Sequence, residues 1–414
     1  MIRTSRSTQK LNKNYSFLIF SISQGISNLG GAFHFIAVTA LLVNISGNGL
    51  WAGFSMVLTP ICSLLLSPFA GTLGDRLNEK YVLIVLDVWK SLVGILFIFS
   101  NEIWSIYCLK LLISAIEILY NPSKKKLISS ILKSDELMAG NSIVSGISGI
   151  TYVIGPVLAG LIIRFFGIHT IFYIHSSASL LSAFLLFLVE TRESSLLLQR
   201  KEKKAGLKFH GGIATGFTYF KNQPEIKFWI FTGTVLALGT ISVNMTFYSF
   251  AFDFLKVSNE LWAIMISLFY GARFIAMGLS LGLHGRIRKR PMAYVFICFF
   301  TVATCWFFYG NIKTVILIMV LQLLEGTALS LFEILLNAQL QTISQKDYVA
   351  RIFSINDIIS NVGQLFGVLC TYVFIHIFSL QRIFMLNAIL LFVCILYLFA
   401  MGKGRRKTHQ FSIH

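Results

Sequence analysis

Five charged residues stand inside long apolar runs: Lys110, Glu117, Arg273, Glu325 and Glu333. On insertion scales one such charge costs about 2.5–3.5 kcal/mol at the centre of a bilayer, so it is kept where it lines water or meets a partner. A carboxyl in that setting can take up and release a proton as its surroundings dry or receive a cation. Glu325 lies midway along its run, with Arg273 at comparable depth in another, and is the first candidate for that chemistry. Static pairing is its competing role. Glu117 and Glu333 come next, and because both lie nearer one end of their runs, a gating or structural salt bridge competes with proton exchange. Lys110 precedes Glu117 by seven residues, nearly on one helical face. Asp87 and Lys90, three apart, read as a local pair on a single helix.

Uncharged groups add a second set. Gln24, Asn28 and His34, with Ser27 alongside, form a polar stripe on the first apolar run. Gln24 and Asn28 sit one turn apart and can hydrogen-bond either a solute or a neighbouring helix. His34 has the side chain that titrates near neutral pH, and simple packing is its alternative. Phe247 and Tyr248, followed by Phe250 and Phe252, would make a greasy cavity wall.

The elements that carry these residues are membrane helices. The chain is 56% hydrophobic and 13% charged, against roughly half and a quarter in soluble domains. Twelve stretches reach about the 20 residues that a span needs: 17–43, 50–71, 82–100, 103–120, 141–165, 168–189, 228–253, 261–283, 292–309, 314–338, 353–376 and 381–401. Numbered in that order, they leave 28 of the 35 Lys/Arg in the segments that share a side with the N-terminus. That bias is the positive-inside rule, so both termini are expected in the cytoplasm. It also gives the net charge of +18 a membrane explanation rather than a nucleic-acid one. Nothing resembles a cleaved signal, since the first sixteen residues are polar and basic and span 1 is too long for one. The six cysteines and eight histidines show no ligand spacing, so neither a metal, a cofactor nor an enzyme is expected.

The polar segment 190–227 divides the chain into an N-terminal six-helix bundle (1–189) and a C-terminal one with a basic tail (228–414). Within the segment, 209–221 has the helical spacing of an interfacial amphipathic helix. The halves echo each other: "EILYN" (Glu117–Asn121) on span 4 and "EILLN" (Glu333–Asn337) on span 10 lie 216 positions apart. A looser echo relates "KSDELMAGNSIVSGI", entering span 5, to "QKDYVARIFSINDII", entering span 11. Duplicated six-helix halves with a site between them build the major-facilitator fold.

Two motifs point the same way. "GTLGDRLNEK", placed between spans 2 and 3, resembles the loop signature of the major facilitator superfamily at Gly71, Leu73, Asp75, Arg76 and Lys80. Asn78 and Glu79 stand where Gly and Arg are usual, and the second-half loop "GLHGRIRKRP" keeps Arg286 but lacks the aspartate. In the family this Asp–Arg pair acts as a cytoplasmic gate. "TYVIGPVLAG" on span 5 resembles the antiporter motif at Gly155, Pro156 and Gly160, with Thr151 and Ala159 replacing glycines. "GISNLGGAF", "DVWK" and "YNPSKKKLISSILKSDELMAGNS" are similar to the branch holding macrolide-efflux proteins and enterobactin-type siderophore exporters. Members of that branch usually carry an acid where this chain has Gly31, so any coupling role of that acid is moved or absent here.

The resemblance implies a cavity lined by spans 1, 4, 7 and 10 and a proton antiporter exporting a small amphipathic molecule by alternating access. A macrolide-like drug is the leading substrate. A siderophore, held by Lys110 and Arg273, is the alternative, and a non-transporting receptor or assembly subunit is a third reading. No P-loop is present, so ATP is not the direct drive. The expected setting is the plasma (inner) membrane of a bacterium, with lipid and protons as partners, no nucleic acid, and a monomer.

Overall fold

The computed structural model describes residues 14–132, 136–190, 217–345 and 348–410, with the backbone alone considered at 67–69, 71–76, 138–139, 284, 288, 349–350 and 397–410. Every regular element among them is helical. The first half contains α1 (Tyr15–Ser46), α2 (Leu58–Arg76), α3 (Glu79–Leu96), α4 (Ile103–Ile131), α5 (Leu137–Phe166) and α6 (Ile168–Leu188). The second contains α7 (Pro224–Ser249), α8 (Asn259–Gly282), α9 (Pro291–Tyr309), α10 (Val315–Ile343), α11 (Val349–Ile377) and α12 (Leu380–Gln410). Eleven spans among the described residues are long and apolar enough to cross a membrane, and α12 contributes a shorter apolar stretch, Leu380–Leu396.

Local chemistry sets where these helices begin and end. Asn14 caps α1 by accepting the Phe17 amide at 3.1 Å, and Gly47, at φ 63°, closes its C-terminus. Asn48 then caps a short helix, Gly49–Phe54, that runs through one 3-10 turn into α2. Pro224 and Pro291 occupy first turns, where a missing N–H costs nothing.

The chain divides into two compact units. One holds α1–α6 together with Val257–Ser267, and the other holds α7 and the chain from Leu268 onward. Most of segment 190–227, including much of the amphipathic stretch expected at 209–221, lies outside the described residues. The units repeat one packing scheme. In the first, α1 packs on α5 and α6, and α3 on α4 and α6; in the second, α7 packs on α11 and α12, and α9 on α10 and α12. The helices α4 and α10, which carry the repeated pentamer, are both 29 residues long.

Two expected boundaries are corrected. Span 4 was expected to end at 120, yet α4 continues through Pro122 to Ile131. A proline removes one backbone hydrogen bond, and membrane helices tolerate that when neighbours hold the rod. The "GTLGDRLNEK" stretch is also mostly helical: α2 runs to Arg76, and only Leu77 and Asn78 link it to α3.

Candidate substrate and coupling site

The first unit bears a half-open pocket of about 190 Å³ lined by α1, α3, α4 and α5. Gln24, Asn28 and Gly31 reach it from α1, Lys90 from α3, Glu117, Tyr120 and Lys124 from α4, and Ser148 from α5. Gln24, Ser27 and Asn28 of the polar stripe thus meet the α4 acid at one place, without His34. Gly31 leaves the wall open, since a Cβ there would meet nothing within 4 Å.

The wall is continuous with a buried polar network. The Lys90 ammonium sits 2.9 Å from the Asp87 carboxylate and donates to Ser27 Oγ at 2.7 Å. Asp87 also accepts from Ser182 at 2.6 Å and from Tyr120 at 3.3 Å. Tyr120 in turn accepts from the Gln24 amide at 2.8 Å, and Asn28 donates to Ser148 at 2.8 Å. Asp87 and Lys90 are therefore a local pair on α3, as the spacing predicts, but one that also fastens α1, α4 and α6. Gln24 and Asn28 bond neighbouring helices while lining the cavity, so their two readings are compatible.

Two charges on the wall stand apart from this network. Glu117 is exposed and makes neither an ion pair nor a hydrogen bond among the described residues. Lys124, half-buried, is likewise without such a partner. The remaining cation of the first unit's sequence-derived set is engaged, because Lys110 donates to Ser55 at 2.8 Å.

His34 belongs to the packing instead. It is buried and lies edge-on to Phe97, with ring centroids 4.7 Å apart, and beside His175 at 4.5 Å. It does not line the cavity, because its side chain leaves α1 toward α6 and the end of α3.

In the second unit the expected approach of Arg273 to Glu325 does not form. Arg273 donates to Glu333 at 2.9 Å, with both side chains more than half accessible. Glu325 is buried and accepts from Trp306 Nε1 at 2.5 Å and from the Tyr309 hydroxyl at 2.6 Å. Both donors come from α9, the neighbouring helix. Phe247 and Tyr248 are buried, and Phe247 packs among Phe250, Tyr309 and Phe384. Phe247 is therefore part of an aromatic core of its own unit rather than an open wall.

The motif residues are placed as follows. Gly71, Asp75 and Arg76 lie on the last turns of α2, and their side chains fall outside the described residues. Lys80 lies over the Phe187 ring at 5.4 Å. The two departures from the signature have local roles: Asn78 caps α3 through the Lys80 amide at 3.1 Å, and Glu79 sits 3.6 Å from Lys126 of α4. On α5, a Cβ at Gly155 would come within 2.6 Å of Ala32 on α1, and one at Gly160 within 2.9 Å of Ala263. Pro156 lies inside the helix, and Thr151 donates to the Ser148 carbonyl at 2.8 Å. These positions serve close helix approach.

A repeated six-helix bundle with a polar, charge-bearing cavity among its helices defines a membrane transporter of the facilitator type. The Major Facilitator Superfamily model matches residues 16–341 and 257–412, and the chain belongs to that family. The MFS-type transporter YfmI of Bacillus subtilis (strain 168) is 21% identical over 97% of this chain and 99% of its own. YfiS from the same organism is 28% identical over 52% of this chain and 51% of its own. The multidrug resistance protein MdtG of Serratia proteamaculans (strain 568) is 25% identical over 48% and 47%. The chain therefore spans about half the length of YfiS and MdtG in these matches. Among solved structures, the nucleoside transporter NupG shares the fold at a TM-score of 0.74 and 13% identity, covering 94% of this chain and 99% of its own. A bacterial homologue of the iron transporter ferroportin does so at 0.67 and 16%, covering 92% and 98%.

Proposed function

We propose that this transporter is a secondary active exporter, moving a small amphipathic molecule out of the cytoplasm by alternating access while protons flow inward. The observation that carries the reading is Glu117, an acid in a membrane helix that faces a cavity with no fixed partner. Such a carboxyl can exchange a proton for the cationic amine of a substrate, because either one relieves its charge. Glu325 is assigned a structural role, since two fixed donors already satisfy it. Glu333 with Arg273 is assigned a salt bridge.

Drug-type substrates are favoured over siderophores. Of the two cations expected to hold an anionic chelator, Arg273 is paired with Glu333, and Lys110 is hydrogen-bonded to Ser55 and does not line the first unit's pocket. The name of MdtG supports the same direction. The charge bias of the sequence supports cytoplasmic termini and a bacterial plasma membrane as the setting. Inside-out membrane vesicles with an acidified lumen provide the test. They should accumulate a lipophilic cationic drug when the protein is present and release it when the proton gradient is collapsed. Equal drug content with and without the gradient would overturn the reading.

A further inference from the structure

The cavity carries two unpaired charges of opposite sign, and only one of them is used by the coupling role above. Lys90, the other cation on the wall, is already taken by Asp87 and Ser27. What remains for a ligand is one carboxylate, Glu117, and one ammonium, Lys124, two turns apart on α4. Seven residues separate them, about 10 Å of helix rise, and they lie more than an ion-pair distance apart. They act on each other only across that gap, and neither makes an ion pair or a hydrogen bond among the described residues, so each can still take a ligand group.

Size and polarity narrow the occupant further. Drug-sized ligands take pockets of roughly 300–1,000 Å³, whereas this one holds about 190 Å³. It suits the polar end of a ligand whose remainder extends through the open side. Most of its other wall groups, including the Gln24 and Asn28 amides and the Tyr120 hydroxyl, are hydrogen-bonding, with Ile116 as an apolar exception.

We infer that this cavity is a subsite for a zwitterion, a molecule with a cationic amine for Glu117 and an anionic group for Lys124 joined by a short spacer. The inference rests on the transport reading and narrows it, because a substrate bearing only a cation would leave Lys124 unpaired. A bridging zwitterion neutralises both charges at once, whereas either half leaves one of them uncompensated. That difference predicts a preference of about tenfold or more for the zwitterion over either half.

The test is equilibrium binding to the full-length protein in lipid nanodiscs, without any proton gradient. Radiolabelled 6-aminohexanoate is the zwitterionic probe, with hexylamine and hexanoate as cation-only and anion-only competitors. The expected result is specific binding that each competitor displaces about tenfold less well than unlabelled probe. Glu117→Gln and Lys124→Met should each abolish that preference, and Lys124→Arg should retain it. Helix content by circular dichroism and the elution volume show that the variants are folded. No binding of the probe, displacement by hexylamine as good as by the zwitterion, or full binding by folded Lys124→Met would each overturn the inference. Drug accumulation in the vesicle assay is read separately, so a cation-only exporter would pass that assay while failing this one.

Discussion

The Lys90 ammonium lies 2.9 Å from the Asp87 carboxylate, and the pair is almost fully buried. Through Ser27, Ser182 and Tyr120 it ties α3 to α1, α6 and α4 at the wall of the pocket. Breaking a buried pair by removing one member leaves an uncompensated charge and costs about 3–5 kcal/mol. Lys90→Met and Asp87→Ala should therefore each lower the melting temperature sharply in fluorescence-detected size exclusion. The double variant Asp87→Asn with Lys90→Met should melt above either single variant, because no lone charge remains. A double variant that melts at the sum of both losses would contradict the pairing.

Glu325 is the contrasting case, a buried membrane acid that accepts two hydrogen bonds from α9. Removing one charged hydrogen bond, as in Tyr309→Phe, should cost about 1.5–3 kcal/mol of stability. Glu325→Gln should leave gradient-driven drug accumulation within the wild-type range once corrected for the amount of folded protein. Loss of transport at normal folding in that variant would return Glu325 to the coupling role.

Glycines 31 and 155 should respond in opposite ways to added bulk. Gly155→Leu drives a side chain into Ala32, and overpacking of this kind costs about 1–3 kcal/mol. Gly31→Ala meets open space and should leave the melting temperature unchanged. Gly31→Leu should preserve stability yet reduce transport by filling the cavity. Stability and transport are measured on the same preparations, and equal transport by Gly31→Leu would place the substrate elsewhere.

Much of this arrangement is legible in the sequence. Apolar length and the Lys/Arg bias mark the spans, and the repeated Glu-Ile-Leu pentamer falls on equivalent helices of equal length. Gln24 and Asn28 could be named as cavity candidates and Glu117 as a coupling candidate from their polarity in a membrane run, but the same reasoning also named His34, Lys110, Phe247 and Tyr248, which do not line this pocket. Lys124 was hidden for a physical reason. The Asn-Pro step and three lysines after Tyr120 read as the end of a span, whereas α4 continues through Pro122 and brings Lys124 onto the wall. The partner of Arg273 was equally illegible, because depth along a helix is encoded in the sequence and rotation about its axis is not. Glu325 and Glu333 lie at different azimuths of α10, and only the packed structure separates the acid bound by Trp306 and Tyr309 from the one that meets Arg273.

The central claim is that Glu117 exchanges protons for substrate. Its most direct test is substrate-driven proton movement in proteoliposomes, read with a pH-sensitive dye inside the lumen. Wild type and Glu325→Gln should both show a proton flux on addition of a cationic drug, and Glu117→Gln should show none while remaining folded. An undiminished flux in Glu117→Gln would contradict the account.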